Sequence, residues 1–156
     1  TKRYFISNKK NREELKIIIE AFADGKPHKS KKIMVWGREL KIKKTYGKIA
    51  VLTFDELCKN PLSAADYRAI CQNFDLIFLL KLPSLTNEDI NEARRLTLFI
   101  DEIYENKTAL IILAKTGAEK IFSNLTNAEG SKRTLSRLNE IKSDHYWQNS
   151  KISINK

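Results

Sequence analysis

Two short apolar segments, joined by a longer amphipathic one, constrain the fold of this chain more than any other feature. The apolar segments cover residues 75–82 and 108–113, and residues 87–106 between them carry apolar side chains at helical spacing. Strands that are apolar throughout are typical of sheets covered on both faces. A helix that connects two such strands makes them parallel. The sequence therefore predicts an α/β fold.

The other hydrophobic patterns complete this architecture. They predict a single α/β domain of short, mostly parallel buried strands with flanking helices, plus an N-terminal helix and a β-hairpin. Asn11 is the expected N-cap of the first helix, and Gly37-Arg38 is the expected hairpin turn. The remaining predicted segments are helices at 11–22, 64–74 and 134–143, hairpin strands at 33–36 and 39–42, a strand at 48–53, a polar loop with a short helix at 115–130, and a frayed tail at 150–156.

The positive charge is concentrated at one end of the chain. Residues 1–48 contain 15 of the 29 Lys and Arg but 5 of the 19 Asp and Glu, whereas the other residues contain equal numbers. We therefore divide the domain into a basic helix-and-hairpin arm (1–48), an α/β region (49–147) and a tail (148–156). The arm suits nucleic acid, anionic lipid or a protein partner. The alternative is a coding bias, since Lys, Asn and Ile are all abundant.

The two cysteines, Cys58 and Cys71, lie in helix-like segments without a CxxC pattern. Two buried thiols in a reducing compartment explain them better than a disulfide or a zinc site with His28 or His145. No segment reaches the ~20 apolar residues of a membrane span. We expect a cytoplasmic, bacterial protein, with peripheral attachment to the inner membrane as the alternative.

A phosphate-binding loop of the GxxxxGK[ST] type does not occur in the 156 residues. Asp101-Glu102, after an apolar run, imitates the carboxylate pair that holds Mg²⁺ in such enzymes. The helical period runs through these residues, however, so the favoured interpretation places both on the wetter side of a helix, paired with Lys or Arg.

Two pairs of arginines are candidate functional residues. Arg133 and Arg137 share a helix face, and guanidinium groups bind phosphate oxygens in a planar fork. The alternative for this pair is a structural contact with Glu140 or Asp144. Arg94 and Arg95 either act across a subunit interface or belong to a solvated, salt-bridged face.

Several ordered motifs resemble the ZapE-type, AFG-like family of AAA-related ATPases. The resemblance covers about residues 4–147. The matching stretches are GREL at 37–40, FDELC at 54–58, PLSAADY at 61–67, ARRLTLFIDEIYE at 93–105 and RTLSRLNEI at 133–141. The family pattern differs at Ser63, where it has Gly, and at residues 129–132, where it has an aromatic-rich segment.

The resemblance implies that the nucleotide chemistry lies outside this chain, because the family places its Walker motifs before the equivalent of Thr1. The chain would then be the C-terminal portion of an ATPase, from a split, decaying or truncated gene, and inactive alone. Arg137, or else Arg133, would reach the nucleotide as a sensor-like residue. No catalytic residue and no metal ligand is expected here.

The family also implies cofactors and partners. ATP and Mg²⁺ serve the full-length proteins, and neither is expected to bind this chain alone. The expected partners are the missing N-terminal ATPase half, other subunits of a homo-oligomer, and a client or cell-division protein, while nucleic acid is not expected. The competing hypothesis is a non-enzymatic binding module that uses the basic arm.

Overall fold

A computed structural model describes residues 2–126 and 130–155 as one six-stranded sheet with helices on both faces. The strand order is β1-β6-β5-β4-β3-β2. Strands β4, β5, β6 and β1 are parallel, and β3 and β2 add an antiparallel hairpin. The predicted α/β class and the mostly parallel sheet are confirmed. The strands are Tyr4–Ile6 (β1), Lys29–Val35 (β2), Arg38–Tyr46 (β3), Ile49–Thr53 (β4), Leu76–Leu82 (β5) and Ala109–Ala114 (β6).

Six α-helices and three short turns of other helix types surround the sheet in the described residues. The boundary predicted at residue 48 falls in the turn between β3 and β4, which pair in the same sheet. The α-helices are Lys9–Ala23 (α1), Ala64–Asn73 (α2), Ile90–Asn106 (α3), Ser131–Ile141 (α4), Asp144–Asn149 (α5) and Lys151–Ile154 (α6); the short turns are Asp55–Lys59, Asn87–Asp89 and Ala118–Lys120.

The central strands separate two hydrophobic cores because their side chains alternate between the faces. Ile77 and Leu79 face one core, with α2, α3 and α4, while Leu76 and Phe78 face the other, with α1. All four side chains are inaccessible to solvent. Burial on both faces explains why the β5 and β6 segments are apolar throughout.

Local sequence signals set the starts of α2 and α3 as predicted. Ser63 begins α2 with a capping box in which the Asp66 carboxylate accepts a bond from the Ser63 amide at 2.8 Å. Thr86 and Asp89 make the same arrangement before α3. Ser63, the departure from the family pattern, therefore has a structural role as an N-cap.

Three predictions at the chain ends and at the hairpin were wrong. Asn8, not Asn11, is the N-cap of α1, and its side chain accepts from the Asn11 amide at 2.7 Å. The hairpin turn is Trp36-Gly37, one residue earlier than expected, and both residues have positive φ. Residues 150–155 are not frayed, because Ser150 is buried and the Lys151 amide donates to the Lys107 carbonyl at 2.9 Å.

Two further segments differ from the sequence prediction or lie partly outside the structure. Strand β1 was missed altogether, although it places the fully buried Phe5 against β6. The short helix expected in the loop at 115–130 is Ala118–Lys120. Residues 1, 127–129 and 156, which include part of the expected polar loop, lie outside the described residues.

The carboxylate of Asp66 connects the hairpin to α2. It accepts bonds from Ser63 and also pairs with Arg38 at the base of the hairpin turn. The Asp66 side chain is only 1% exposed. Burial works to raise the pKa of Asp66, but the bonds from the Ser63 amide and the Arg38 guanidinium outweigh it. The pKa of Asp66 therefore lies below its usual value.

We expect Asp66→Asn to lower the free energy of unfolding by about 2 kcal/mol at pH 7, because the buried position loses a charged acceptor for the bonds from Ser63 and Arg38. A depressed folded-state pKa contributes stability above the unfolded pKa of about 3.9, and that contribution disappears as the pH falls through the lower folded value. The difference between wild type and variant should therefore shrink below about pH 4. Urea unfolding at several pH values measures it.

Asp55→Asn is the matched control, because the pair between Asp55 and Lys59 is exposed on both sides. Its cost should stay below about 0.5 kcal/mol at every pH. Equal losses in the two variants would contradict a structural role for Asp66.

Candidate functional site at the contact of two helices

The arginines predicted to reach a phosphate lie on α4, where it packs against α3. Arg133 and Arg137 are one turn apart, and both guanidinium groups contact the same carboxylate, Asp101 of α3. Arg133 Nη2 lies 3.3 Å from Asp101 Oδ2, and Arg137 bonds to Oδ1. We call these three residues the arginine–aspartate cluster. The structural partner is therefore Asp101, and not Glu140 or Asp144 as the sequence suggested.

Tyr104 extends the cluster by one turn of α3. The Arg137 guanidinium lies 5.1 Å from the centre of the Tyr104 ring, and this ring stacks on Tyr146 at 6.4 Å. A hydrogen bond to the Glu140 carboxylate raises the pKa of Tyr104. The Tyr146 hydroxyl is anchored in turn, with the Thr108 carbonyl oxygen at 2.7 Å. Arg137 is thus held by an ion pair and an aromatic ring together.

Arg133 and Arg137 differ in their exposure to solvent. The side chain of Arg137 is 25% exposed, whereas that of Arg133 is 62% exposed. Arg133 also has the longer contact to Asp101. The Arg133 guanidinium is therefore available to contact a phosphate. The Arg137 guanidinium is already held by Asp101 and the Tyr104 ring.

The carboxylates that imitate a magnesium-binding pair lie on a helix, as favoured from the sequence. Asp101 is engaged by the two arginines, and Glu102 accepts a bond from Arg68 Nε at 3.1 Å. Glu102 is buried, which corrects the expectation that it lies on the wetter side of α3. The arrangement leaves neither carboxylate free to hold a cation.

The second pair of arginines divides between two environments. Arg95 Nη1 donates to the Cys58 carbonyl at 2.8 Å and so ties α3 to the short turn Asp55–Lys59. Arg94 is exposed, with no ion pair to any residue that the structure describes. A role of Arg94 across a subunit interface stays a prediction.

The cysteines are free thiols in the core, as the sequence suggested. Burial raises the pKa of Cys58 to about 12 and raises that of Cys71 as well. A thiol that stays protonated near neutral pH is a poor nucleophile and a poor metal ligand. The two guanidinium groups of the arginine–aspartate cluster are suited to bind an anion.

Comparison with known proteins identifies the family. The profile described as AFG1-like ATPase matches residues 2–150. The chain belongs to this family. The resemblance drawn from the sequence motifs is thereby confirmed.

Named relatives of the AFG1-like chain come from animals, fungi and bacteria. It is 29% identical to lactation elevated protein 1 homolog B of Danio rerio over 92% of the chain and 36% of that protein. It is 30% identical to an uncharacterized protein of Schizosaccharomyces pombe over 72% of the chain and 26% of that protein. Cell division protein ZapE of Escherichia coli K12 is 29% identical over 81% of the chain and 34% of its own length.

The chain therefore spans about a quarter to a third of the length of these relatives. No solved structure gives a significant match. None of the helices in residues 2–126 and 130–155 has the length and hydrophobicity to cross a bilayer.

The structure also contains a basic groove that the sequence motifs did not reveal. It has a volume of about 770 Å³, and five cations line it: Arg12, Lys16, Lys44, Lys81 and Lys115. Lys81 and Lys115 come from the part of the sequence in which charges balance, so composition gave no signal. Their positions at the ends of apolar parallel strands are the available signal, because ligands of α/β sheets bind at the carboxyl ends of strands.

We expect Arg137→Ala to lower the free energy of unfolding by about 2 kcal/mol, because it removes a partly buried ion pair and a cation–π contact together. Arg133→Ala should cost less than about 0.5 kcal/mol, as is usual for an exposed pair. Urea unfolding of the two variants measures this difference. A larger loss for Arg133→Ala would reverse the roles assigned to the two arginines.

Proposed function

We propose that this chain is the C-terminal portion of an ATP-hydrolysing protein of the AFG1/ZapE type and that it does not hydrolyse ATP by itself. In this proposal the chain completes the fold of the ATPase and brings Arg133 to the phosphates of an ATP bound elsewhere in the protein. Family membership supports the activity. The arginine–aspartate cluster supports the contact, because it presents a pre-positioned and largely exposed guanidinium.

The residues present fit the phosphate end of ATP better than its metal ion. Arginine offers paired donors that match phosphate oxygens, and Asp101 holds the Arg133 side chain near the surface without burying it. In residues 2–126 and 130–155 no three His, Cys, Asp or Glu side chains are grouped as metal ligands. In this proposal the Mg²⁺ that accompanies ATP is held by the ATPase half, together with the phosphates.

The biological setting is proposed by analogy. The bacterial relative is named as a cell division protein, and we propose a role of this kind, with protein quality control as the alternative that the family resemblance implies. The proposed partners are the ATPase half, further subunits of a homo-oligomer, and a client protein. We propose a cytoplasmic location.

We expect the chain alone to bind Mg·ATP with no detectable affinity in the micromolar range and to show no turnover. Isothermal titration calorimetry and a phosphate-release assay test this. Micromolar binding of Mg·ATP, or ATP hydrolysis, by the isolated chain would contradict the proposal.

The role of Arg133 is tested in the native polypeptide, or in the native complex, that contains this chain together with a phosphate loop. There Arg133→Ala should lower kcat for ATP hydrolysis at least about ten-fold, because a transition-state phosphate contact is lost. Lys132→Ala, the exposed neighbour on the same helix, is the control for loss of one positive charge. Equal kcat values in the two variants would contradict the assignment.

A second candidate function rests on the hairpin of β2 and β3. Trp36 at its tip is 88% exposed, and Met34 of strand β2 is exposed as well. Trp36 has a φ of 50°, which is unfavourable for a bulky residue. Lysines line the outward face of both strands. We propose that, if the chain acts as a binding module, this hairpin contacts the anionic partner through Trp36.

We expect Trp36→Asn to weaken binding to an anionic partner while raising the stability of the fold by about 0.5 kcal/mol, because Asn-Gly suits a turn with two positive φ values. Salt-dependent binding to single-stranded DNA and to phosphatidylglycerol vesicles measures the first effect, and urea unfolding the second. The other tryptophan, Trp147, packs on the core, so Trp147→Phe is the control. Unchanged binding in Trp36→Asn would exclude the hairpin.

A further inference from the structure

The basic groove lies on the face of the sheet that α1 covers, between this helix and strands β3, β5 and β6. Its floor is aliphatic. Its cations come from four separate parts of the chain, namely α1, β3 and the carboxyl ends of β5 and β6. The aliphatic side chains of the floor are Leu15, Ile19, Leu80, Pro83 and Leu113, and Tyr46 also lines the groove.

The charges around the groove are not neutralised from within the protein. None of the five cations forms a salt bridge with a carboxylate of residues 2–126 or 130–155, and the Arg12 guanidinium donates to the Ser7 hydroxyl at 3.1 Å. Glu20 is the single carboxylate among the lining residues. Like charges around a low-dielectric surface repel one another, and a bound anion relieves that repulsion.

Backbone strain at the groove singles out Lys81. Its φ is 58°, a left-handed conformation that side chains other than glycine rarely adopt. The β5–β6 register shifts between Leu79 and Leu82, so Lys81 lies in an irregular stretch at the end of β5. Strained residues cluster where they position a side chain for binding. Lysine thus occupies a backbone position that glycine would adopt without strain, and its side chain lines the groove.

We propose that this groove binds an alkyl chain that carries a phosphate or a carboxylate. The aliphatic floor would bury the chain, and Lys16 and Lys81 would contact the charged end. A volume of about 770 Å³ lies within the range of small-molecule sites. The floor offers few polar side chains to recognise a base or a sugar, and it leaves the polar backbone of a peptide without partners.

Dodecyl phosphate, kept below its micellar concentration, is the probe, and isothermal titration calorimetry of the whole chain in low-salt buffer is the measurement. We expect saturable one-to-one binding that weakens with salt. Dodecyltrimethylammonium, with the same chain and the opposite charge, and inorganic phosphate alone should each bind at least about ten-fold more weakly. Equal affinity for the cationic amphiphile would overturn the proposal, as would absence of saturable binding.

Two charge-removing variants locate the site without threatening the fold. Lys81→Gly keeps the backbone, because glycine adopts a φ of 58° freely, and Lys16→Gln keeps an exposed helical position. Each should weaken dodecyl phosphate binding about five-fold or more. Lys107→Gly is matched to the first, since Lys107 has a φ of 54° and lies outside the groove. Lys10→Gln is matched to the second on α1.

Affinity within about two-fold of wild type is expected for both control variants. Equal losses in Lys81→Gly and Lys107→Gly would overturn the location. A Leu-rich peptide flanked by Glu that binds more tightly than dodecyl phosphate would overturn the assignment to an alkyl chain.

Cosedimentation with vesicles that contain phosphatidic acid separates the two sources of this chemistry. Pelleting that dodecyl phosphate competes away assigns a membrane lipid as the ligand. Binding of dodecyl phosphate without pelleting assigns a free amphiphile. Pelleting that dodecyl phosphate leaves unchanged, and that Lys81→Gly does not reduce, would overturn the proposal for the lipid.

Discussion

The burial of β5 and β6 on both faces is the constraint on which the rest of this structure depends. Strands that expose neither face to water need a layer of helices on each side. The chain between two parallel strands runs back along one face of the sheet, usually as a helix. Helix α3 makes this connection. Its position brings Asp101 beneath α4, where Arg133 and Arg137 meet it. The arginine–aspartate cluster therefore follows from the same packing that forms the core.

The motifs that identify the family act as connections between elements that are distant in sequence. Arg38 of the hairpin meets Asp66 of α2, Arg68 of α2 meets Glu102 of α3, and Arg95 of α3 holds the carbonyl of Cys58. In each case an arginine of one element contacts an oxygen of another element that packs beside it. Such contacts contribute little net stability when they replace hydration, but they fix the register of one element against its neighbour. Arg38, Asp66, Arg95 and Glu102, which lie in the matching motifs, therefore each have a structural contact.

The parts of the fold that the sequence predicted are those in which a local pattern and the tertiary packing agree. The β5–α3–β6 unit was predicted because its two strands are continuously apolar and its helix has apolar residues at helical spacing. The Ser63 and Thr86 caps were predicted because their side chains bond to neighbouring backbone groups. Strand β1 was missed because three residues carry no period, and its pairing with β6 is a long-range event. The roles of Arg133 and Arg137 stay predictions, since no pattern reveals which of two exposed arginines a distant carboxylate will hold more tightly.

Four residues other than glycine adopt a left-handed conformation in the described part of the chain, and they fall into two classes. Asp24 and Lys107 follow the last turns of α1 and α3, where this conformation lets the backbone amide bond to the end of the helix. Trp36 and Lys81 end no helix. Glycine would fit both places at no steric cost, so the fold gives no reason for an indole or an ammonium there. Strained residues cluster at binding sites, and Trp36 is exposed to solvent while Lys81 lines the basic groove, so an anion can reach both side chains.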